Sequence, residues 1–257
     1  MPRWFGGLAG LLVIIAGWTL LAVTVFRHNG AVPTPLAVLR QYRQDGFSFY
    51  WDNMSVTLRG ALAGFLWGNV LAVGIAALVL LIPVLEGVAN QIAVISYCIP
   101  LTAIGPIILV VLGGRAPTIF LAGLSVFFTT LVGALLGIRS ADQTSLDLIT
   151  AYGGGRVEQM TKVQVIAALP ATFAGLKIAA PAALLGAILG EYLGGVDNGI
   201  GVALTASQQN YQVARTWGLA LACGLVAGLG YLLIGLIGRL LTPWSAGSAA
   251  ALANGAQ

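Results

Sequence analysis

The sequence predicts an all-α protein that crosses a membrane six times. Of its 257 residues, 58% are hydrophobic and only 8% are charged, whereas a soluble domain has about 25% charged residues. Because a charge at the bilayer centre is costly, the charged residues mark the limits of the membrane-spanning segments. The long apolar stretches between these charges define a polytopic membrane protein.

Six segments reach the length of about 20 residues that crosses the hydrocarbon core. The sixth, residues 171–193, contains Lys177 and Glu191 near its two ends, where long side chains can reach the interface. The other five contain no charged residue, and they cover residues 5–26, 60–85, 87–114, 116–138 and 216–238.

Residues 1–27 are predicted to form a retained transmembrane helix. Arg3 before an apolar run also fits a secretory signal, but the run of about 22 residues is longer than a signal core of roughly 7–15, and no A-x-A site follows it. His28 is predicted to lie at the membrane interface. At the other end of the chain, the tail 245–257 is rich in small residues and is expected to be partly disordered.

Residues 28–59 are predicted to form a polar loop between the first two membrane helices. Pro33 and Pro35 favour an extended or turned start. Leu36, Leu39 and Tyr42 have near-helical spacing, which predicts a short helix on the membrane surface within this loop. The aromatic residues that follow suit a belt at the membrane interface.

The third segment contains Pro100 and Pro106. A proline inside a membrane helix frees carbonyl groups that neighbouring helices or the water of a cavity must satisfy. A kinked helix beside a transport path and a packing kink without a path both explain the pattern. If there is a path, the third and fifth segments would line it, with Tyr97 and Thr102 as the polar side chains best placed to face it.

No residue set predicts a metal or cofactor site. Cys98 and Cys223 lie in apolar segments without paired spacing, and His28 is the single histidine. The G-x-x-x-x-G-K-[ST] pattern of a nucleotide-binding loop is absent, so the chain is not expected to hydrolyse ATP itself. The net charge of +4 is spread along the chain, which argues against nucleic acid as a partner. Positive residues divide equally between the two sides, so charge does not decide orientation.

Residues 147–170, DLITAYGGGRVEQMTKVQVIAALP, form the most polar stretch of the second half. The three glycines from Gly153 to Gly155 break or bend a helix. Val157, Met160 and Gln164 then recur at near-helical spacing. The pattern predicts two short helices joined at a glycine elbow on the membrane surface. An ordinary connecting loop and a docking surface for a partner both remain open.

This stretch resembles the EAA loop of permease subunits in ATP-binding-cassette importers. The pattern of that loop is an acidic residue and two alanines, three residues, Gly, nine residues, then an aliphatic residue, any residue and Leu-Pro. Asp147, Gly153 and Val163 occupy the acidic, glycine and aliphatic positions. The two alanines and the final Leu-Pro are replaced here by Leu148, Ile149, Val165 and Ile166.

The resemblance extends from about residue 33 to residue 244. Three stretches are similar to the nitrate/sulfonate/taurine-type branch: VPTPLAVL, IPLTAIGPIILVVLGG and GEYLGGVDNGIG. This resemblance implies the type I importer permease fold in a bacterial inner membrane, with a core at residues 60–244 and a coupling loop at 139–170. Both termini and the tail would be cytoplasmic, and residues 28–59 would form an external loop.

The implied function is a permease subunit of an ATP-driven importer that moves a small polar or anionic solute by alternating access. Its implied partners are two ATPase subunits, a second permease copy or homologue, a periplasmic or lipid-anchored solute-binding protein, and membrane lipid. An ion-gradient-driven secondary transporter and a non-transporting membrane scaffold remain as alternatives.

The resemblance also assigns candidate site residues. Glu191 and Tyr192 would form an external gate or contact the binding protein. The translocation path would include Tyr97, Pro100, Thr102 and Pro106. ATPase coupling would involve Asp147, Ala151, Tyr152, Gly153, Gly154, Arg156, Glu158 and Lys162.

Overall fold

The regular elements of the described chain are all helical. The computed structural model describes residues 3–27 and 30–245, so His28 and the tail residues 246–257 lie outside the described part. The order of elements is α1 Arg3–Val23, α2 Pro35–Leu81, a 3₁₀ turn Pro83–Leu85, α3 Glu86–Cys98, α4 Leu101–Leu112, α5 Ala116–Arg139, α6 Gln143–Ala151, α7 Arg156–Gln159, a π turn Met160–Gln164, α8 Val165–Tyr192, α9 Ile200–Gln209 and α10 Val213–Leu241.

Within the described residues, five helical stretches are long and apolar enough to cross a membrane: α1, α2, α5, α8 with the helical turns before it, and α10. The predicted third segment is not one helix. It is divided into α3 and α4, which meet at an angle of 90°. The six predicted crossings are obtained if this bent pair counts as one span.

The directions of α2 and α5 show that the bent pair does cross the membrane. Gly60 and Gly68 of α2 face Thr118 and Val126 of α5, so the two helices run parallel. The chain must therefore return from the end of α2 to the start of α5, and only α3 and α4 lie between them. The bend falls at Pro100, whereas Pro106 is accommodated inside α4.

Helix α2 extends much further towards the N-terminus than predicted. Residues 35–59, expected to lie in a loop, are helical except at Gly46, which has φ 75° and ψ 160°. The piece before Gly46 is the short helix that the spacing of Leu36, Leu39 and Tyr42 predicts. Its N-cap is Thr34, whose side chain accepts a hydrogen bond from the N–H of Ala37 at 3.2 Å.

Helices α5 and α8 form the central antiparallel pair of the molecule. A Cβ atom on Gly190 of α8 would lie 2.4 Å from the Cα of Thr118, and one on Gly137 of α5 would lie 2.6 Å from the Ala168 carbonyl oxygen. Only glycine allows the two backbones to approach this closely. The pair is therefore in contact near both of its ends.

These directions give the molecule two ends. The α6 end comprises α6, α7 and the last turns of α2, α5 and α10. The α9 end comprises α9, the first turns of α5 and α10, and the last turn of α8. At the α9 end, the carboxylate of Asp45 forms an ion pair with Arg215 and accepts a hydrogen bond from Tyr50 at 3.0 Å, which joins α2 to α10.

Candidate functional site

The glycine elbow after α6 is a regular helix terminator. The N–H of Gly153 donates to the Thr150 carbonyl at 2.9 Å, and the N–H of Gly154 donates to the Ile149 carbonyl at 2.8 Å. With Gly153 at φ 77°, these two bonds form a Schellman motif. The predicted break between two short helices is thus confirmed, and Gly153 is the residue whose conformation requires glycine.

The start of α6 is held by Asp142, which lies outside the membrane-spanning helices. Its side chain accepts hydrogen bonds from the Ser145 N–H at 2.9 Å and from the Ser145 hydroxyl at 3.0 Å. These bonds stabilise the charged carboxylate and hold the pKa of Asp142 below its usual value. Helix α6 is therefore capped at both ends by its own local sequence.

Two side chains hold α7 in place: Glu158 caps its N-terminus, and Gln159 bonds to α6. Glu158 turns back, and its carboxylate accepts a hydrogen bond from the Gly155 N–H at 2.9 Å. Gln159 donates to the Thr150 hydroxyl at 2.8 Å and to the Leu146 carbonyl at 3.3 Å. The two short helices consequently form one unit, which we call the α6–α7 unit (residues 143–159).

The outer surface of the α6–α7 unit is apolar as well as charged. Leu148 and Tyr152 lie four residues apart on one face of α6, and their side chains are 57% and 86% exposed. Ile149 instead lies next to Gly154, where an added Cβ would come within 2.6 Å of its Cγ2. Of the predicted coupling residues, Asp147, Ala151, Tyr152, Gly153, Arg156 and Lys162 are exposed, while Gly154 and Glu158 are half-buried.

Arg156 reaches from α7 into the membrane helices. Its Nη2 donates a hydrogen bond to the Leu80 carbonyl, near the end of α2, at 3.1 Å. A cavity of about 140 Å³ lies beside it, bounded also by Glu86 and Arg139, which form an ion pair, and by Gln164. The Gln164 Oε1 is buried and has no hydrogen-bond partner among the described residues.

The predicted path residues lie together around the α3–α4 corner. Tyr97, Pro100, Thr102 and Pro106 are all exposed in the single chain. The Tyr97 ring is 71% exposed and stacks on Phe128 of α5, with ring centroids 4.5 Å apart. Thr102 lies in the first turn of α4. Its side-chain hydroxyl forms no hydrogen bond with another described residue.

Glu191, predicted to lie where α8 leaves the outer face, is buried and only 3% exposed. Its Oε2 accepts hydrogen bonds from the Thr57 hydroxyl at 2.9 Å and from the Gly201 N–H at 2.7 Å. The Thr57 oxygen in turn accepts from the Ile200 N–H at 2.8 Å. The neighbouring Tyr192 remains exposed.

This arrangement makes Glu191 the N-terminal cap of α9, supplied by another helix. A carboxylate is favourable at a helix N-terminus because the first N–H groups have no partner within the helix. A Cβ on Gly199 would lie 2.4 Å from the Glu191 carboxyl carbon. The glycines of VDNGIG therefore let α9 approach Glu191, a contact that no short-range sequence pattern indicates.

Two arginines near Glu191 were not singled out from the sequence. Arg59 of α2 and Arg115, just before α5, line a cavity of about 130 Å³ with Glu191 and Asn198. Arg115 donates to the Asn198 side-chain oxygen at 2.8 Å. The only available signal was their position next to the predicted span limits.

An α-helical bundle with several membrane crossings and a water-exposed helix pair at one end defines a polytopic membrane protein. Residues 68–246 match the family described as binding-protein-dependent transport system inner membrane component. This match covers more than half of the chain, and the chain belongs to that family. The resemblance to importer permeases is confirmed, and the fold is the type I importer permease fold.

Individual relatives agree with the family. The chain is 31% identical over 211 residues to a probable ABC transporter permease protein of Haemophilus influenzae, covering 80% of this chain and 83% of the relative. It is 27% identical to the riboflavin transport system permease protein RibX of Chloroflexus aurantiacus, covering 89% of each. It is 24% identical to the putative aliphatic sulfonates transport permease protein SsuC of Bacillus subtilis, covering 94% of this chain and 88% of the relative.

Proposed function

We propose that the chain is the permease subunit of an ATP-driven importer, which moves a small polar or anionic solute delivered by an external binding protein. The observation that carries the proposal is the α6–α7 unit, in which Leu148 and Tyr152 are exposed at the charged end of an apolar bundle. Two neighbouring apolar side chains exposed outside the membrane-spanning helices suit a contact with a partner protein. The family membership supports an ATPase subunit as that partner.

In this proposal the α6–α7 unit docks on the ATPase and the α6 end faces the cytoplasm. Asp147, Ala151, Tyr152 and Lys162 lie on the exposed surface and would meet the ATPase. Arg156 would have a different role from theirs, since its guanidinium bonds to α2 and would carry motion inward. ATP is hydrolysed by two partner subunits and not by this chain.

The transport path would run between this chain and a second permease copy or homologue. The exposed corner around Pro100 supports this location, because Thr102 presents a hydroxyl with no partner in the described chain. In hydrocarbon such a group is unfavourable, and a water-lined path removes the penalty. The α9 end would face a periplasmic or lipid-anchored binding protein.

At the α9 end, Glu191 would act as a positioning residue of an outer gate. It is too deeply buried to contact a binding protein directly in this conformation. By capping α9 it fixes a short helix beside the outer ends of α2 and α8. Tyr192, which is exposed, is the better candidate for a direct contact.

The names of relatives suggest the class of solute without selecting one. They are named for riboflavin, for aliphatic sulfonates and, in a third case, for formylaminopyrimidine. These differ in size and charge, so we propose that the binding protein sets the selectivity and the permease accepts a range of small polar or anionic solutes.

The deciding experiment is reconstitution of the tagged full-length chain, with its co-purified and identified ATPase and binding protein, into liposomes. We expect solute uptake that requires hydrolysable ATP and the binding protein. Uptake driven by an ion gradient without ATP would identify a secondary transporter. Isolation without any ATPase, together with no uptake under either condition, would favour a scaffold.

A further inference from the structure

A cavity of about 580 Å³ lies between α8 and α10 near the α6 end. It is bounded by Pro170, Phe173 and Lys177 on α8, and by Ile234 and Arg239 on α10. None of the residues assigned to the α6–α7 unit, the transport path or the cap of α9 lines this cavity. Its chemistry is nevertheless distinctive, because two cations line a space whose remaining walls are largely apolar.

The two cations have no counter-charge in the described chain. No carboxylate side chain lines the cavity, and the two ion pairs of the described residues, Glu86 with Arg139 and Asp45 with Arg215, involve neither Lys177 nor Arg239. One carbonyl in the lining, that of Gly238, is already occupied by the N–H and the hydroxyl of Thr242, both at 2.8 Å. Among the described residues, the cavity therefore has two cations in its lining and no anion.

Lys177 is held in place rather than extended into water. Its Nζ lies 4.2 Å from the centroid of the Tyr231 ring, a cation–π contact. Gly235 leaves the room for it, since a Cβ there would lie 3.0 Å from the Lys177 Cε. An ordinary snorkelling lysine needs neither arrangement, so the side chain is held between α8 and α10 at the wall of the cavity.

The depth of the cavity matches the headgroup layer of a bilayer. Gly235 is six residues before the end of α10 at Leu241, which is roughly 9 Å along the helix. Arg239 lies in the last turn of the same helix. A phosphate between Lys177 and Arg239 would therefore lie just inside the polar surface of the membrane.

The face of α10 beside Arg239 suits the acyl chains of the same molecule. Leu232, Leu236 and Leu240 follow each other at four-residue spacing, and all three are exposed. A free anion from solution would use the two cations but would leave this apolar stripe without a role. Basic pockets between membrane helices are known to hold anionic headgroups.

We propose that this cavity binds the phosphate headgroup of an anionic phospholipid, through Lys177 and Arg239, in the leaflet at the α6 end. The inference is independent of the importer function, since it concerns a permanent site for lipid and not the transported solute. It gives α8 and α10 a shared ligand at the α6 end.

The test is lipid binding to the full-length chain in mild detergent, measured by native mass spectrometry with dioleoylphosphatidylglycerol and dioleoylphosphatidylcholine. We expect wild type to prefer the anionic lipid by about tenfold or more, since each basic residue near an anionic headgroup contributes on the order of 1 kcal/mol. The double variant Lys177→Gln, Arg239→Gln should lose this preference. Lys177→Arg should retain it.

The matched control removes two arginines at the α9 end, Arg40→Gln with Arg43→Gln, which are exposed and make the same change in net charge. It should keep the preference.

An unchanged preference in the Lys177 and Arg239 double variant would overturn the proposal, as would equal binding of both lipids to wild type. Complete loss of anionic-lipid binding in millimolar sodium phosphate would also overturn it, because the site would then bind a free phosphate instead of a lipid headgroup. If the double variant does not fold, Arg239→Gln alone gives the same comparison at an exposed position.

Discussion

Arg156 Nη2 on α7 lies 3.1 Å from the Leu80 carbonyl oxygen of α2 and donates a hydrogen bond to it. Leu80 lies in the last turn of α2, two residues before the C-cap Ile82. A positive charge is favourable there, because the final carbonyl groups of a helix have no partner and carry partial negative charge. The α6–α7 unit is thereby joined to a membrane helix that is distant in sequence.

We predict that Arg156→Gln lowers the solute imported per ATP hydrolysed by about tenfold or more. A charge-assisted hydrogen bond contributes about 1.5–3 kcal/mol, and glutamine is too short to replace it. The measurement is the ratio of solute uptake to phosphate release in proteoliposomes. Arg43→Gln, an exposed residue at the α9 end, is the charge-matched control. A wild-type ratio in the Arg156 variant would show that this contact does not transmit motion.

Gly153→Pro should abolish ATP-driven uptake while the chain still inserts into the membrane. Proline cannot adopt φ 77° and removes the N–H that bonds to Thr150. A charged residue at exposed Ala151 should have the same effect by disturbing the ATPase contact. The measurement combines uptake with membrane insertion determined by blotting.

A milder pair of variants provides the control for backbone strain. Gly153→Ala and Gly113→Ala place alanine at similar positive φ angles, 77° and 69°, with open space around each added Cβ. Gly153→Ala should cost about 1 kcal/mol of stability. Gly113→Ala, at ψ −179°, should cost at least as much, about 1–3 kcal/mol, so it is the stricter control. Only Gly153→Ala should also reduce uptake, and equal losses in the two variants would contradict a special role for the elbow.

Glu191→Gln should reduce transport more than Asp197→Asn does. The amide keeps the size of the side chain but weakens the hydrogen bonds from the Gly201 N–H and the Thr57 hydroxyl, at a cost of about 1–3 kcal/mol. Asp197 is exposed and lies in the loop between α8 and α9, so its variant controls for the same change from carboxylate to amide. Proteolysis within 200–209 should also become faster in the Glu191 variant. Equal and negligible effects on transport would leave Glu191 without a role in gating.

Thr102 is predicted to face the transport path. In a chain lacking Cys98 and Cys223, a cysteine at position 102 should react with water-soluble thiol reagents several times faster than one at Val110, an exposed α4 position chosen as the lipid-facing control. The rate should differ between the ATP-bound and nucleotide-free complex. Labelling no faster than at Val110 in every nucleotide state would remove the α3–α4 corner from the path.

The stability of α6 should depend on the charge of Asp142. Because hydrogen bonds from Ser145 lower the pKa of Asp142 in the folded chain, the stabilisation is present above the unfolded pKa of about 3.9 and is lost as pH falls through the lower folded value. Hydrogen exchange of the α6 amides, corrected for the intrinsic rate, should therefore accelerate below about pH 4. Asp142→Asn should keep a cap and lose this acceleration; an identical pH profile in both would contradict the assignment.

The limits of the membrane segments follow from the sequence because charges are excluded from hydrocarbon. The same logic does not give the angle of 90° at Pro100. Proline removes one hydrogen bond, but the direction of the resulting bend depends on how α3 and α4 pack against α5. Nor does it give the helical form of residues 35–59, where polar side chains lie on a helix that continues into the membrane.

The elbow at Gly153 could be predicted because its chemistry is local, from consecutive glycines next to a helix. The environment of Glu191 could not, since Thr57 is 134 residues away and only tertiary packing brings it within hydrogen-bonding distance. Near the end of a membrane helix, a carboxylate was expected at the surface. The inward direction of Arg156 was missed for the same reason.

The glycine contacts between α5 and α8 have a mechanical consequence. Helix α8 is continuous for 28 residues, about 42 Å, from Val165 beside the π turn to Tyr192 next to Glu191. Where Gly137 and Gly190 bring the backbones together, sliding by even a fraction of a turn would force side chains into those gaps. These contacts hold α5 and α8 together as one pair, although α8 contains Pro170 and Pro181, whereas the chain bends sharply at Pro100 between α3 and α4. Distances measured by spin labels on α9 should then change in step with those on α6, and labels on α3 should follow a separate time course.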